Sequence, residues 1–135
     1  MPAVTLSNPP ALGRPLGQYS QVARVHAGEL LFIAGQVAAD AAGNLVGADD
    51  FARQCDQVFA NIAAALAASG AGWANVAQFT TYLVHSQDIA KFMDYRRRAF
   101  PAMFAGGAYP PNTLLIIDRL VAEGFLIEVQ TVAAL

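Results

Sequence analysis

Between Tyr109 and Val132 the chain leaves room for little besides two β-strands. Tyr109-Pro110-Pro111-Asn112-Thr113 runs into the apolar stretch Leu114-Leu115-Ile116-Ile117. Two prolines fix φ and remove two N–H donors, so this segment reads as a rigid turn entering a buried strand. A short turn containing Gly124 leads to a second run, in which Phe125, Ile127 and Val129 alternate with Leu126, Glu128 and Gln130. A period of two puts each set on its own face of a sheet. The two runs are read as late, neighbouring strands, with Asn112, Thr113 and Glu128 as their candidate site groups.

The remaining elements follow in order. A short edge strand is expected at Ala3–Leu6, followed by an irregular proline-rich arm to Pro15. Val22 to His26 and Leu30 to Ile33 read as strands joined through Ala27-Gly28-Glu29, hence a hairpin. Ala34-Gly35-Gln36 ends the second of these, and its glycine permits close approach of another group to the backbone. Asp40 to Gly47 is a loop turning at Ala42-Gly43-Asn44.

Asp49 or Asp50 then caps a helix reaching about Ser69, on which Phe51, Cys55, Val58, Phe59, Ile62 and Leu66 fall on one face. Gln54, Gln57 and Asn61 fall on another. Cys55 on the apolar face reads as an inert buried thiol. Val76 to Val84 alternates as a strand. Ser86 is expected to cap a second helix carrying Ile89, Phe92, Met93, Arg96 and Phe100 on one side, with Pro101 after its end. The order predicts a single α+β domain over residues 1–135, with a mixed sheet and two helices on one face.

Composition narrows the function. Hydrophobic residues make up 56% and charged residues 13%, about half the usual share of charge. So few charges cover a monomer of 135 residues poorly, and burial between copies of the chain is expected. A net charge of −2 offers no electrostatic footprint for a phosphate backbone. The basic run Arg96-Arg97-Arg98 is placed near a helix end, where it complements the helix dipole. No uncharged run is long enough to span a bilayer, and the start of the chain shows no secretion signal. With its single cysteine, the chain is expected in the cytoplasm. His26 and His85 lack partners at ligand spacing, so no metal site is expected.

Several motifs together resemble the RidA/YjgF family of reactive-intermediate deaminases, also described as L-PSP endoribonucleases or translation inhibitors. They are Gly17-x-Tyr19-Ser20-Gln21, Gly35-Gln36, Gln54 with Asn61-Ile62, Leu66 and Gly70, Phe100, Pro110-x-x-Thr113 and Ile127-Glu128-Val129. The resemblance implies a chorismate-mutase-like fold, a homotrimer and small-molecule clefts between subunits. It also implies hydrolysis of enamines or imines to oxo compounds and ammonia, without cofactor or metal. Tyr19 and Glu128 fall at the family's catalytic cleft positions, and Ala34, Gly35, Asn112 and Thr113 at substrate-binding ones.

One departure matters most. The family holds the substrate carboxylate with an arginine in a Pro-x-Arg-Ser/Thr turn, and Asn112 stands at that position. A neutral amide replaces a planar charged fork, forfeiting roughly 1.5–3 kcal/mol of binding. Arg119 lies seven residues on, about 23 Å along a strand and facing the other side. Arg14 or Arg96 would reach the cleft only through the fold or a neighbouring subunit, and a site without an arginine clamp is preferred. Met93 and Arg96 also replace the family's asparagine and tyrosine, and Ala34 its serine.

Three readings remain open. The first is an imine or enamine deaminase whose substrate is not a simple amino-acid-derived acid. The second is a non-catalytic metabolite-binding trimer. The third is an endoribonuclease or translation inhibitor, against which the acidic balance and the lack of a basic, aromatic groove both stand. Without the resemblance, Glu128 would be a solvated strand carboxylate, Tyr19 an interface residue, and Asn112 and Thr113 turn residues.

Overall fold

The computed structural model describes residues 2–135. Strands β1 (Val4–Ser7) and β2 (Val22–Val25) form an antiparallel ribbon. The main sheet has the order β3-β6-β4-β5, from Leu30–Gln36, Ile127–Ala134, Val76–Leu83 and Asn112–Ile116. The β3/β6 and β6/β4 pairs are antiparallel, whereas β4 and β5 are parallel. Parallel neighbours need a crossover, supplied here by helix α2 (Asp88–Met103). Helix α1 (Phe51–Ala68) joins β3 to β4. The result is an α+β domain with a mixed sheet and two helices, as the order of elements predicts.

Alternation along the central strands decides where the core lies. Phe79, Thr81 and Leu83 of β4 and Ile127, Val129, Thr131 and Ala133 of β6 are buried beneath the helices. Phe59 of α1 is the hub, with ring centroids 5.8 Å from Phe79, 5.7 Å from Tyr95 and 5.4 Å from Phe100. The expected apolar face of α1 is buried throughout, and Asp50 caps it, accepting the Arg53 N–H at 3.0 Å. Burial also pushes the Cys55 thiol pKa well up, in keeping with an inert side chain.

Five expectations need correction. Strand β2 pairs with β1 instead of β3, because β3 takes its partner from the far end of the chain, with Phe32 opposite Val132. The Gly28 and Glu29 N–H groups accordingly donate to the Leu135 carbonyl, not across a hairpin. The two late strands β5 and β6 are not neighbours, since β4 lies between them. Ser86 caps nothing: α2 starts at Asp88 after Gln87, without a side-chain cap. Pro101 lies inside α2, where its missing N–H costs one hydrogen bond. Packing of Phe100 and Phe104, 5.2 Å apart and both against Tyr109, keeps that last turn helical. Finally, Arg96 is buried rather than set against the helix dipole, while Arg97 and Arg98 pair with Asp94 at 3.5 and 3.2 Å.

One buried polar side chain prepares the site. Gln54, grouped by sequence with a polar face, is fully enclosed. Its Nε2 donates to the Gly47 and Gly124 carbonyls at 3.1 and 2.8 Å, and its Oε1 accepts the Leu126 N–H at 2.8 Å. It thereby anchors the segment entering β6, two residues before Glu128.

Candidate functional site

Glu128 lies on β6 between the buried Ile127 and Val129, so it projects from the sheet face away from the helices. In register it faces Tyr82 of β4. Its carboxyl rests on β3 at the irregularity between Ile33 and Gln36. A Cβ on Gly35 would come within 2.7 Å of the Glu128 Cδ, so any larger residue there would push the carboxyl from this position. This is the close approach that the sequence anticipates, and the approaching group is the carboxylate. Among the described residues, the half-buried Glu128 carboxylate has no hydrogen-bond or ion-pair partner in the chain. Ala34 stands exposed beside it, its carbonyl accepting Gln36 Nε2 at 3.1 Å.

Strand β5 separates two residues that the sequence treats together. Thr81 Oγ1, on the core face of β4, donates to Asn112 Oδ1 at 2.7 Å. Asn112 therefore lies on the helix side, like Leu114, which packs against the core. Thr113 points the other way and pairs with Thr80. The turn before them is held by the Phe79 N–H, which donates to the Pro111 carbonyl at 2.9 Å. Glu128 and Thr113 share the open face, but two strand spacings and a two-residue offset put them roughly 12 Å apart.

Tyr19 belongs to the arm before β2, where its Oη accepts the Leu16 N–H at 3.1 Å. It lines an open cleft of about 620 Å³ with Asn8, Arg14, Gly17, Gly107 and Tyr109. Beneath this arm lies Arg96, only 4% exposed. Its guanidinium sits 4.7 Å from the Phe92 ring centroid, and Nη1 donates to the Gln18 carbonyl at a long 3.5 Å. Nε is buried and unpartnered. Burial pulls the arginine pKa below its ordinary value, with Tyr19 nearby acting in the opposite direction.

Within one chain the six expected site residues thus form separate groups. Ala34, Gly35 and Glu128 come together; Asn112 joins Thr81; Thr113 joins Thr80; Tyr19 stands in the arm. Sequence reasoning missed Thr81, and it weighed Arg96 but set it aside in favour of a site without an arginine clamp. Thr81 is a polar residue in the buried register of β4, and Arg96 falls on the apolar side of α2, so both carried a signal. No group of three or more metal-ligating side chains occurs among the described residues.

The fold and these groups define a two-layer domain that presents polar residues on both faces of one mixed sheet. The chain belongs to the RidA/YjgF family: the family model described as Endoribonuclease L-PSP matches residues 10–135. It is 33% identical over 120 residues to a RutC family protein of Pyrococcus horikoshii, covering 89% of each chain. Among solved structures, the Rid family protein YyfB of Yersinia pestis superposes with a TM-score of 0.87 at 29% identity, covering 98% of this chain and 99% of that one. RidA from a Psychrobacter species gives 0.67 at 27% identity, covering 90% of this chain and 92% of that one. Among the described residues, no helix is long and apolar enough to cross a membrane.

Proposed function

We propose that this protein hydrolyses small enamines or imines in clefts formed between copies of the chain, with Glu128 as the group that orients and deprotonates water. The observation carrying this reading is the Glu128 carboxylate, half-buried against Gly35 with every chain donor turned elsewhere. A carboxylate so held is free to accept a proton from water. An enamine first tautomerises to the imine by protonation at carbon; water then adds to the C=N carbon, its proton passing through Glu128 to the nitrogen, and the carbinolamine collapses to a C=O group as ammonia leaves.

Asn112 and Glu128 occupy opposite faces of the sheet, so a cleft using both needs more than one copy of the chain. Phe32, 76% exposed, and Leu30, 50% exposed, lie on the open face and favour its coverage by further copies, in a homotrimer. Tyr19, Ala34, Gly35, Asn112 and Thr113 are the remaining cleft residues of this reading, and its setting is the cytoplasm. A second reading, a metabolite-binding trimer without turnover, is favoured by Asn112 itself. Its amide is neutral and already engaged by Thr81, so it offers no charged clamp.

The test generates 2-aminoacrylate in situ with a pyridoxal-phosphate lyase and follows its decay and ammonia release. Wild type is expected to accelerate decay, and Glu128→Ala to remove at least 100-fold of that acceleration, within the range of general-base catalysis. Equal rates for the two proteins would refute the catalytic reading. Ligand binding without ammonia release would favour the second.

A further inference from the structure

Loss of the arginine from the β5 turn argues, on sequence alone, against an acidic ligand. The buried charge in α2 argues the other way. We propose that Arg96 is the anion-binding group of this protein, and that it takes a small carboxylate on the Nε–Nη2 edge of its guanidinium. The proposal rests on the small-molecule reading above, and it names the ligand's charge and the residue that selects it.

Arg96 is 4% exposed and has no carboxylate partner in the chain. Taking an unpaired guanidinium out of water is costly unless its donors are satisfied. Here satisfaction is partial. Nη1 has the Gln18 carbonyl at 3.5 Å, the ring of Phe92 covers one face, and Nε has nothing. The Nε–Nη2 edge is the planar pair of donors that matches the two oxygens of a carboxylate.

The fold brings this edge level with Asn112. Phe100 packs on Phe79, which pairs with Asn112. Helix α2 returns antiparallel to β4. One turn back from Phe100, about 6 Å, lies Arg96. Two residues on from Phe79, roughly 6.6 Å, lies Thr81, which holds the Asn112 amide. Arg96 and the Thr81–Asn112 pair therefore lie at a similar level along the sheet.

The cover is slight. Residue 17 is glycine, and a Cβ there would already lie 3.4 Å from both Arg96 Nη2 and Met93 Cε. The arm from Gly17 to Tyr19 touches the guanidinium through one long hydrogen bond. A ligand carboxylate that lifts Gly17 from the Nε–Nη2 edge gains two charge-assisted contacts there and leaves the Nη1 contact to Gln18 on the other side of the guanidinium.

The test uses 2-oxobutyrate, a stable monocarboxylate, and its methyl ester, with the purified full-length protein. Binding is followed by calorimetry and by the ¹⁵N-edited Nε–H resonance of Arg96. The acid is expected to bind and to shift that resonance downfield, and the ester to do neither. Arg96→Met is expected to weaken acid binding ten- to a hundred-fold, and Arg96→Lys less. An unshifted resonance, equal affinity for acid and ester, or unchanged affinity in a folded Arg96→Met protein each overturns the proposal. The resonance reads the wild type, so a poorly folded variant does not spoil the test. Binding through Arg96 without ammonia release would sink the deaminase reading and leave this one standing. Turnover with the same kcat/KM in wild type and Arg96→Met would do the reverse.

Discussion

The two faces of the main sheet are built from alternate residues of the same strands, yet they differ in kind. On the helix side, Phe59 packs edge to face on both Phe79 and Phe100, and among the buried polar side-chain atoms of the described residues only Thr131 Oγ1 and Arg96 Nε lack a partner. On the other side, Phe32, Leu30 and Leu115 are exposed next to Thr113, Gln130 and Glu128. The first face spends its apolar area on folding the chain; the second holds apolar area that one chain does not use. If copies of the chain associate through the open face as proposed, stability and association are separable by substitution.

The sharpest way to break this contrast is to truncate one aromatic on each face. Phe59→Ala is expected to cost about 3–5 kcal/mol in denaturant unfolding, because the ring is fully buried at the hub of the core. Phe32→Ser should leave chain stability within about 0.5 kcal/mol and shift sedimentation toward smaller species. A comparable loss of stability from both substitutions would erase the distinction. Gly35→Ala comes next: its Cβ meets the movable end of the Glu128 side chain, so the carboxyl is expected to swing aside at a cost of at most about 1 kcal/mol in stability, and the hydrolysis proposed for Glu128 to fall. If activity persists, Glu128 is not held where it acts.

The smallest effect concerns acid. Asp40 accepts the Asn44 and Ala42 N–H groups, and these hold its pKa below the ordinary 3.8. Its contribution is present above that value and disappears as pH falls through the lower, folded value. Asp40→Ala should therefore separate from wild type in thermal melts at pH 6 and converge with it in strong acid. Separation that persists in strong acid would refute the titration account.

Local chemistry made much of this fold legible. The periodicity of α1, its Asp50 cap and the close approach at Gly35 follow from side-chain spacing and backbone sterics within a few residues. Pairing of β3 with the end of the chain does not, because Ala27-Gly28-Glu29 looks like a hairpin turn and nothing nearby points to Leu135. Pro101 shows the same limit: propensity ends the helix, while an aromatic cluster from distant elements extends it. The motifs named the candidate residues, of which only Ala34, Gly35 and Glu128 come together within one chain. The sidedness of Asn112 and Thr113 was implicit in strand alternation, and Arg96 already fell between Phe92 and Phe100 on the inner side of α2. Reading it as one of three consecutive surface arginines hid its burial.

Gln54 has a practical consequence. It grips the Gly124 carbonyl and the Leu126 N–H from within α1, so strand β6 begins from a fixed point whatever the preceding loop does. Residues 118–123 carry an exposed tip at Val121 and are insulated from Glu128 by that anchor. This loop is where a fluorophore, an affinity tag or an inserted peptide can be attached while the carboxylate keeps its position.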